Sequence, residues 1–170
     1  MNLHLVDINQ DLVDAWKSAF VNHQEVEIIC SDIMSVAGDT IVSPANSTGN
    51  MGGGIDWVYA NYFGPSLEST LKAEISKLNG HMLPVGQAIL IPTGNRIIPY
   101  LISAPTMEYA QAVPADNCYK AMSAILALVT RNSNIISDIY CPGLATLTGG
   151  VPAEEAANKM AQAYESWKIE

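Results

Sequence analysis

An asparagine, a glycine triplet and an aspartate stand close together in this chain: Asn46, then Gly52, Gly53 and Gly54, then Asp56. They follow Ile41-Val42-Ser43-Pro44-Ala45, an apolar run of strand type, and a helix-compatible sequence begins only after the third glycine. Glycines let a ligand approach the main chain because no Cβ intervenes. The helix start beyond them offers unpaired N–H groups. This pattern puts backbone amides and a few polar side chains at one edge of a sheet, an arrangement suited to a polar or anionic ligand. The same residues have plainer uses, since Asn favours turns and an acid in a first helical turn suits the helix dipole. A second junction repeats the form. The run Cys141-Pro142-Gly143-Leu144-Ala145-Thr146-Leu147-Thr148-Gly149-Gly150 leads from an apolar strand to Val151-Pro152 and another helix. Neither junction carries the Gly-Lys-Ser/Thr of a Walker A loop or the dinucleotide fingerprint of a Rossmann fold.

The elements that must position these residues are legible from periodicity. Leu3 to Ile8 reads as a strand, and Asn9 caps a helix with Leu12, Trp16, Ala19 and Phe20 on one face. Glu25 to Cys30 is a second strand ending at Ser31-Asp32-Ile33, and Thr40 to Ala45 is apolar enough to be buried on both faces. Ile55 to Phe63 forms a short helix broken by Gly64-Pro65, and Leu67, Leu71, Ile75 and Leu78 mark the next, ended by Asn79-Gly80. Ala88 to Ile91 and Ile97 to Ala104 are strands. Asp116 is expected to cap a helix that turns Ala121, Ile125, Leu128 and Val129 inward and places Arg131 near its C-terminus. Asp138 to Leu144 is the last strand, and the final helix buries Ala156, Met160, Ala163, Tyr164 and Trp167. Strands alternating with amphipathic helices predict a three-layer α/β/α sandwich on a mixed, mostly parallel sheet. In such folds ligands bind outside the carboxyl ends of the strands, so the two Gly-rich junctions should flank one cleft.

Composition bounds the rest. The 170 residues are expected to form a single domain over 1–170, and 49% hydrophobic against 15% charged residues excludes a disordered chain. A net charge of −9 and a pI near 4.6 argue against duplex nucleic acid as a partner. A small anion is not excluded, because amides aimed at contact act where distant charges are screened. Cys30, Cys118 and Cys141 are expected to be buried reduced thiols, and His4, His23 and His81 lie far apart, so neither a metal site nor a bound cofactor is expected. No apolar run reaches membrane-spanning length and no secretory leader pattern opens the chain, which leads to an expectation of a cytoplasmic protein without membrane contact.

Four segments in order resemble a known family. Ser31-Asp32-Ile33, then Ile41 to Asn46, then Gly52-Gly53-Gly54-Ile55-Asp56 and Phe63-Gly64-Pro65-Ser66-Leu67-Glu68 look like the N-terminal half of the macrodomains, which bind ADP-ribose. Leu83-Pro84-Val85-Gly86-Gln87-Ala88, Ile102-Ser103-Ala104-Pro105 and the 141–152 run resemble the second half. The resemblance implies that Asp32 accepts a hydrogen bond from the adenine amino group beside the Ile33 amide, and that Asn46 contacts the distal ribose. It implies that Gly52, Gly53, Gly54 and Ile55 wrap that sugar, and that Gly143, Leu144, Ala145, Thr146, Leu147, Thr148, Gly149 and Gly150 hold the diphosphate with their amides. Asp56 matches an aspartate of the MacroD-type hydrolases, where it positions or activates water. On that basis Asn46 and Asp56 are the candidate catalytic pair, acting on mono-ADP-ribosyl groups, O-acetyl-ADP-ribose or ADP-ribose 1''-phosphate. The ligand would be ADP-ribose or a related nucleotide, free or carried by an ADP-ribosylated protein.

The chain also departs from the pattern. Ala145, Thr146 and Leu147 stand where the family's loop usually reads Gly or Ser, Thr, Gly, and Gly149 stands where many catalytic members carry an aromatic. A noncatalytic module that senses or sequesters an NAD-derived nucleotide is the alternative reading. Glu154 and Glu155 are expected to face solvent, Trp57, Tyr59 and Tyr62 to pack, and Tyr109 to lie in a loop as a candidate lid.

Overall fold

The structure, a computed structural model, describes residues 1–169. Its sheet has strands β1 (Asn2–Asp7), β2 (Glu27–Cys30), β3 (Thr40–Ser43), β4 (Ile89–Pro92), β5 (Tyr100–Ser103) and β6 (Asp138–Cys141), in the order β2-β1-β6-β3-β5-β4. Every neighbouring pair is parallel except β4 with β5. The expected mixed, mostly parallel sheet is therefore present.

Helices cover both faces, and strand alternation decides which residues meet which layer. Leu3, Leu5, Val42, Ile102 and Ile139 point to one side, where α1 (Gln10–Ala19), α5 (Asp116–Arg131) and α6 (Ala153–Ile169) bring Trp16, Ile125 and Met160 against them. Val6, Ile41, Ile91 and Leu101 point to the other, under Ile33 of α2 (Ile33–Val36), Tyr59 of α3 (Gly54–Phe63) and Leu67, Leu71 and Ile75 of α4 (Ser66–Ser76). All four residues of β3 are buried, as a central strand covered on both sides requires. Because β1, β3, β5 and β6 run the same way, Asp7, Ser43, Ser103 and Cys141 all end at one edge, and the loops leaving them meet there.

Four sequence expectations are corrected. Cys30 is exposed, because β2 is an edge strand; Cys118 and Cys141 are the buried thiols, and burial pushes the Cys118 thiol up to about 12 and holds the Cys141 thiol well above the usual thiol range. Trp57 and Tyr62 are exposed on α3, and only Tyr59 of the three aromatics packs inward, where its hydroxyl donates to the Val42 carbonyl at 3.0 Å. Asp32 and Ile33, read in the sequence as the end of the second strand, instead cap and begin a helical turn, Ile33–Val36. Asp116 does not cap α5: the cap position is Ala115, with no side-chain bond, and the Asp116 carboxylate instead lies 3.4 Å from Lys120 and 3.7 Å from Lys159. Asn9 does cap α1, accepting from the Asp11 amide at 3.0 Å. Among the described residues no helix is long and apolar enough to cross a membrane.

The two caps give a paired test. Asn9→Ala should destabilise the fold by about 1 kcal/mol, as loss of a side-chain cap does. Asp116→Ala, which removes only exposed ion pairs, should cost less than about 0.5 kcal/mol. Urea denaturation of both variants reads the difference, and equal losses would contradict the capping assignment.

Candidate functional site

The loops at the carboxyl edge enclose a cleft of about 770 Å³. Of the residues singled out in the sequence, Asp32, Ile33, Asn46, Gly52, Gly53, Gly54, Ile55, Asp56, Gly143, Ala145, Thr146, Leu147, Thr148 and Gly149 line it, and Tyr109 stands exposed at its rim. Leu144 and Gly150 do not. Leu144 is buried in the core, and Gly150 is exposed with its N–H turned to the Leu147 carbonyl at 3.0 Å. No Lys, Arg or His lines the cleft, so positive potential must come from backbone dipoles.

Asn46 organises the loop after β3 more than it faces open space. Its Oδ1 accepts from the Thr48 amide at 3.1 Å, the Thr48 hydroxyl at 2.6 Å and the Asn50 amide at 3.2 Å, while its Nδ2 donates to the Asn50 carbonyl at 2.9 Å. Asn50 in turn accepts from the Gly52 amide at 2.8 Å. A Cβ added at Gly53 or Gly54 would meet no protein atom, so these glycines leave room beside the main chain, and Gly54 has φ +58°.

At the other end Asp32 serves a local role and also lines the cleft. Its Oδ1 caps the α2 turn by accepting from the Met34 amide at 2.9 Å, and the residue is exposed. Between the two ends lies the loop after β6. Among the described residues, the backbone N–H groups of Ala145, Thr146, Leu147, Thr148 and Gly149 donate to no protein carbonyl, whereas Gly150 and Val151 turn theirs back to Leu147 and Ala145. Consecutive unpaired amides lining a cavity form an anion cradle.

Two departures noted in the sequence fit each other here. Ala145 adopts φ +58°, the left-handed conformation that glycine accepts freely. A Cβ on Gly149 would lie 2.6 Å from the Ala145 carbonyl oxygen and 2.8 Å from its Cβ, so the bulk at 145 and the bare glycine at 149 are one packing solution. No aromatic can occupy 149 in this loop.

Asp7 is a cleft residue that sequence reasoning missed. Its carboxylate accepts from the Asn9 amide at 2.9 Å and the Gly143 amide at 3.1 Å, tying the end of β1 to the loop after β6. Thr106, Met107 and Ala110, from the long loop after β5, also line the cleft, and an isolated bridge pairs Asn46 with Met107. A long loop leaving a carboxyl strand end was the available signal for these; Asp7 offered only a turn signal.

Asp56 is buried, with 7% of its surface exposed, and accepts a hydrogen bond from the Ser43 hydroxyl at 2.5 Å. Burial raises its pKa from the ordinary 3.8 to about 6; the Ser43 hydrogen bond opposes the rise and the Glu68 carboxylate adds to it. Its Oδ2 has no hydrogen bond to a described residue.

A family model of the macro domain matches residues 42–160. The chain belongs to the macro domain family. A relative from Aquifex aeolicus is 36% identical over 140 residues, covering 81% of this chain and 79% of its own. A macro domain-containing protein of Caldanaerobacter subterraneus is 28% identical, with 79% and 75% covered. Among solved structures, the Oceanobacillus iheyensis macrodomain with ADP superimposes with TM-score 0.69 at 24% identity over 80% of this chain and 72% of that one. The macrodomain of Mycobacterium tuberculosis DarG gives 0.68 at 19% identity, covering 80% and 87%. These structural likenesses establish the fold.

In this macro domain the cysteines and histidines lie outside the cleft, and among the described residues no group of three or more potential metal ligands forms. His4 sits instead at the opposite edge of the sheet, between Glu27 at 2.6 Å and Asp138 at 2.9 Å. A more open hollow of about 660 Å³ beside His23, Tyr119 and α6 contains none of the candidate residues.

The Asp56 environment predicts a pH-dependent stability of definite sign. The folded state holds the Asp56 proton up to about pH 6, while the unfolded chain releases it near 3.8, so stability from this group is greatest below pH 3.8 and is lost as pH rises to about 6. Asp56→Asn should abolish that component and raise stability at pH 7 by on the order of 3 kcal/mol. Denaturation series at pH 4.5 and pH 7 would check it, and a variant less stable than wild type at pH 7 would refute it. The loop packing makes a second prediction: Gly149→Ala should destabilise by about 1–3 kcal/mol through overpacking, and Ala145→Gly in the same background should recover part of the loss. Thermal melts of the two variants and their combination read the coupling.

Proposed function

We propose that this macro domain binds ADP-ribose or a close NAD-derived nucleotide along the cleft. The observation that carries the reading is the run of unpaired amides from Ala145 to Gly149, placed between Asp32 and the glycine triplet. A dianionic diphosphate is the ligand chemistry that such a cradle suits, because several N–H donors neutralise it without a basic side chain. Adenine then lies toward Asp32 and the Ile33 amide, and the distal ribose toward Asn46, Gly52, Gly53, Gly54 and Ile55. The Oceanobacillus iheyensis macrodomain, solved with ADP and as a mutant with ADPR, supports a ligand of this class.

The finer reading is hydrolysis at the distal ribose, of a mono-ADP-ribosyl ester, O-acetyl-ADP-ribose or ADP-ribose 1''-phosphate. Asp56, with a pKa near 6, is ionised for the most part at neutral pH and basic enough to take a proton from water. Water attacks the acyl carbon or phosphorus, Asp56 accepts its proton, and as the bond to the sugar oxygen breaks that proton passes from Asp56 to the leaving oxygen, which restores the carboxylate. Asn46 acts by holding the 46–50 loop in place.

A second reading, a binding module without turnover, is favoured by the packing of Gly149 against Ala145, which leaves no side chain there to press on the distal sugar. Both readings are compatible with a free nucleotide or with one attached to a protein.

Calorimetric titration with ADP-ribose should give a measurable heat, and Asp32→Ala should weaken binding by about 1–3 kcal/mol; silence at millimolar ligand would sink the proposal. For the hydrolase, product release from the three substrates should fall about 10²–10⁴-fold in Asp56→Ala. Turnover equal to a buffer blank with all three would leave the binding module.

A further inference from the structure

Ser103 is fully buried at the end of β5, and its hydroxyl is the described buried side-chain atom left without any hydrogen-bond partner. A buried unpaired hydroxyl is costly enough to require an explanation. Register supplies one. Ser103 is paired with Ser43 on β3 and with Ile89 on β4, so the three side chains stand in a row on the same face of the sheet. Ile89 offers no polar group, which leaves Ser43 as the hydroxyl's polar neighbour in that row. Ser43 has spent its one proton on Asp56, and a hydroxyl oxygen keeps lone pairs able to accept.

We propose that Ser103 is a positioning residue for Asp56: on rotation about its χ1 from the unpaired rotamer the structure shows, its hydroxyl donates to Ser43 Oγ and completes a chain Ser103 to Ser43 to Asp56. Each donor in such a chain polarises the next, so the Ser43 bond to the carboxylate strengthens when Asp56 ionises. The other titratable groups about Asp56 act differently. Glu68 from α4 opposes ionisation, Tyr59 on α3 gives its proton to the Val42 carbonyl, and Asp7 and Asp32 line the cleft as further acids. The Ser103 chain therefore supports the charged form against burial. The functional meaning rests on Asp56 being the cleft's working carboxylate, as the proposed function has it, whereas the titration of Asp56 is read in the ligand-free protein.

The test is a ¹³C-carboxyl NMR titration of Asp56 without nucleotide, assigned with Asp56→Asn, so its outcome is independent of nucleotide binding or turnover. Ser103→Ala should raise the Asp56 midpoint by about half a unit. If the alanine variant folds poorly, the Ser103→Thr and Ser103→Val pair makes the same comparison at matched shape: threonine should keep the wild-type midpoint and valine should raise it. In a Ser43→Ala background, Ser103→Ala should add nothing. An unchanged midpoint on loss of the Ser103 hydroxyl would overturn the proposal, and so would a shift that persists undiminished without Ser43.

Discussion

Burial of β3 on both faces is the constraint from which the cleft follows. With β6 and β5 on either side, α5 below and α3 and α4 above, the strand has no contact with water before its carboxyl end. Apart from Thr40, whose hydroxyl donates to Asp39 at the amino end, its polar side chains are deferred to that end. Ser43 finds a partner in Asp56, and the loop beyond would expose unpaired backbone groups if Asn46 did not collect two amides, a hydroxyl and a carbonyl. The binding edge is thus organised by the same requirement that builds the core: buried polar groups must be satisfied.

The loop after β6 obeys the rule selectively. Gly143 gives its amide to Asp7, and Gly150 and Val151 close the turn, but the intervening amides remain unspent. Keeping them free requires a backbone held in place from outside, by Asp7 at one end and by the Ala145–Gly149 contact at the other. Rigid, unpaired dipoles in a cavity need no reorganisation to receive an anion. That is how a chain of net charge −9, with no basic side chain in the cleft, still offers local positive potential.

Much of this was readable in the sequence because it depends on local pattern. The largely apolar Thr40 to Ala45 run, the Asn9 cap, the two Gly-rich junctions and the edge at which they open are consequences of periodicity and turn chemistry. What was not readable depends on partners distant in the chain. Asp7 becomes a cleft residue only through Gly143, 136 positions away. Cys30 is exposed because of where β2 lies in the strand order, which its own apolar neighbours do not encode. The turn at 33–36 is too short to show helical periodicity, and Asp116 lost its cap role to surface lysines contributed partly by α6. Leu147 illustrates the reverse: a bulky residue in a Gly-rich loop reads as an obstruction, yet it stands 76% exposed at the rim and leaves the amides clear.

Asp56 brings the two halves of the cleft into conflict. A carboxylate useful as a base has to be ionised, and burial beside Glu68 already favours the proton. A diphosphate arriving in the amide cradle would add negative charge and remove water, and both changes favour the protonated form further. On the proposed reading, a diphosphate in the loop after β6 therefore works against the charge state that a base at position 56 needs. Hydrogen bonds to the ionised carboxylate are the available counterweight, and Ser43 is the donor in place. Whether the cleft is catalytic or only receptive thus turns less on the presence of an acid at position 56 than on how firmly the hydroxyls beneath it hold that acid ionised once the nucleotide is bound.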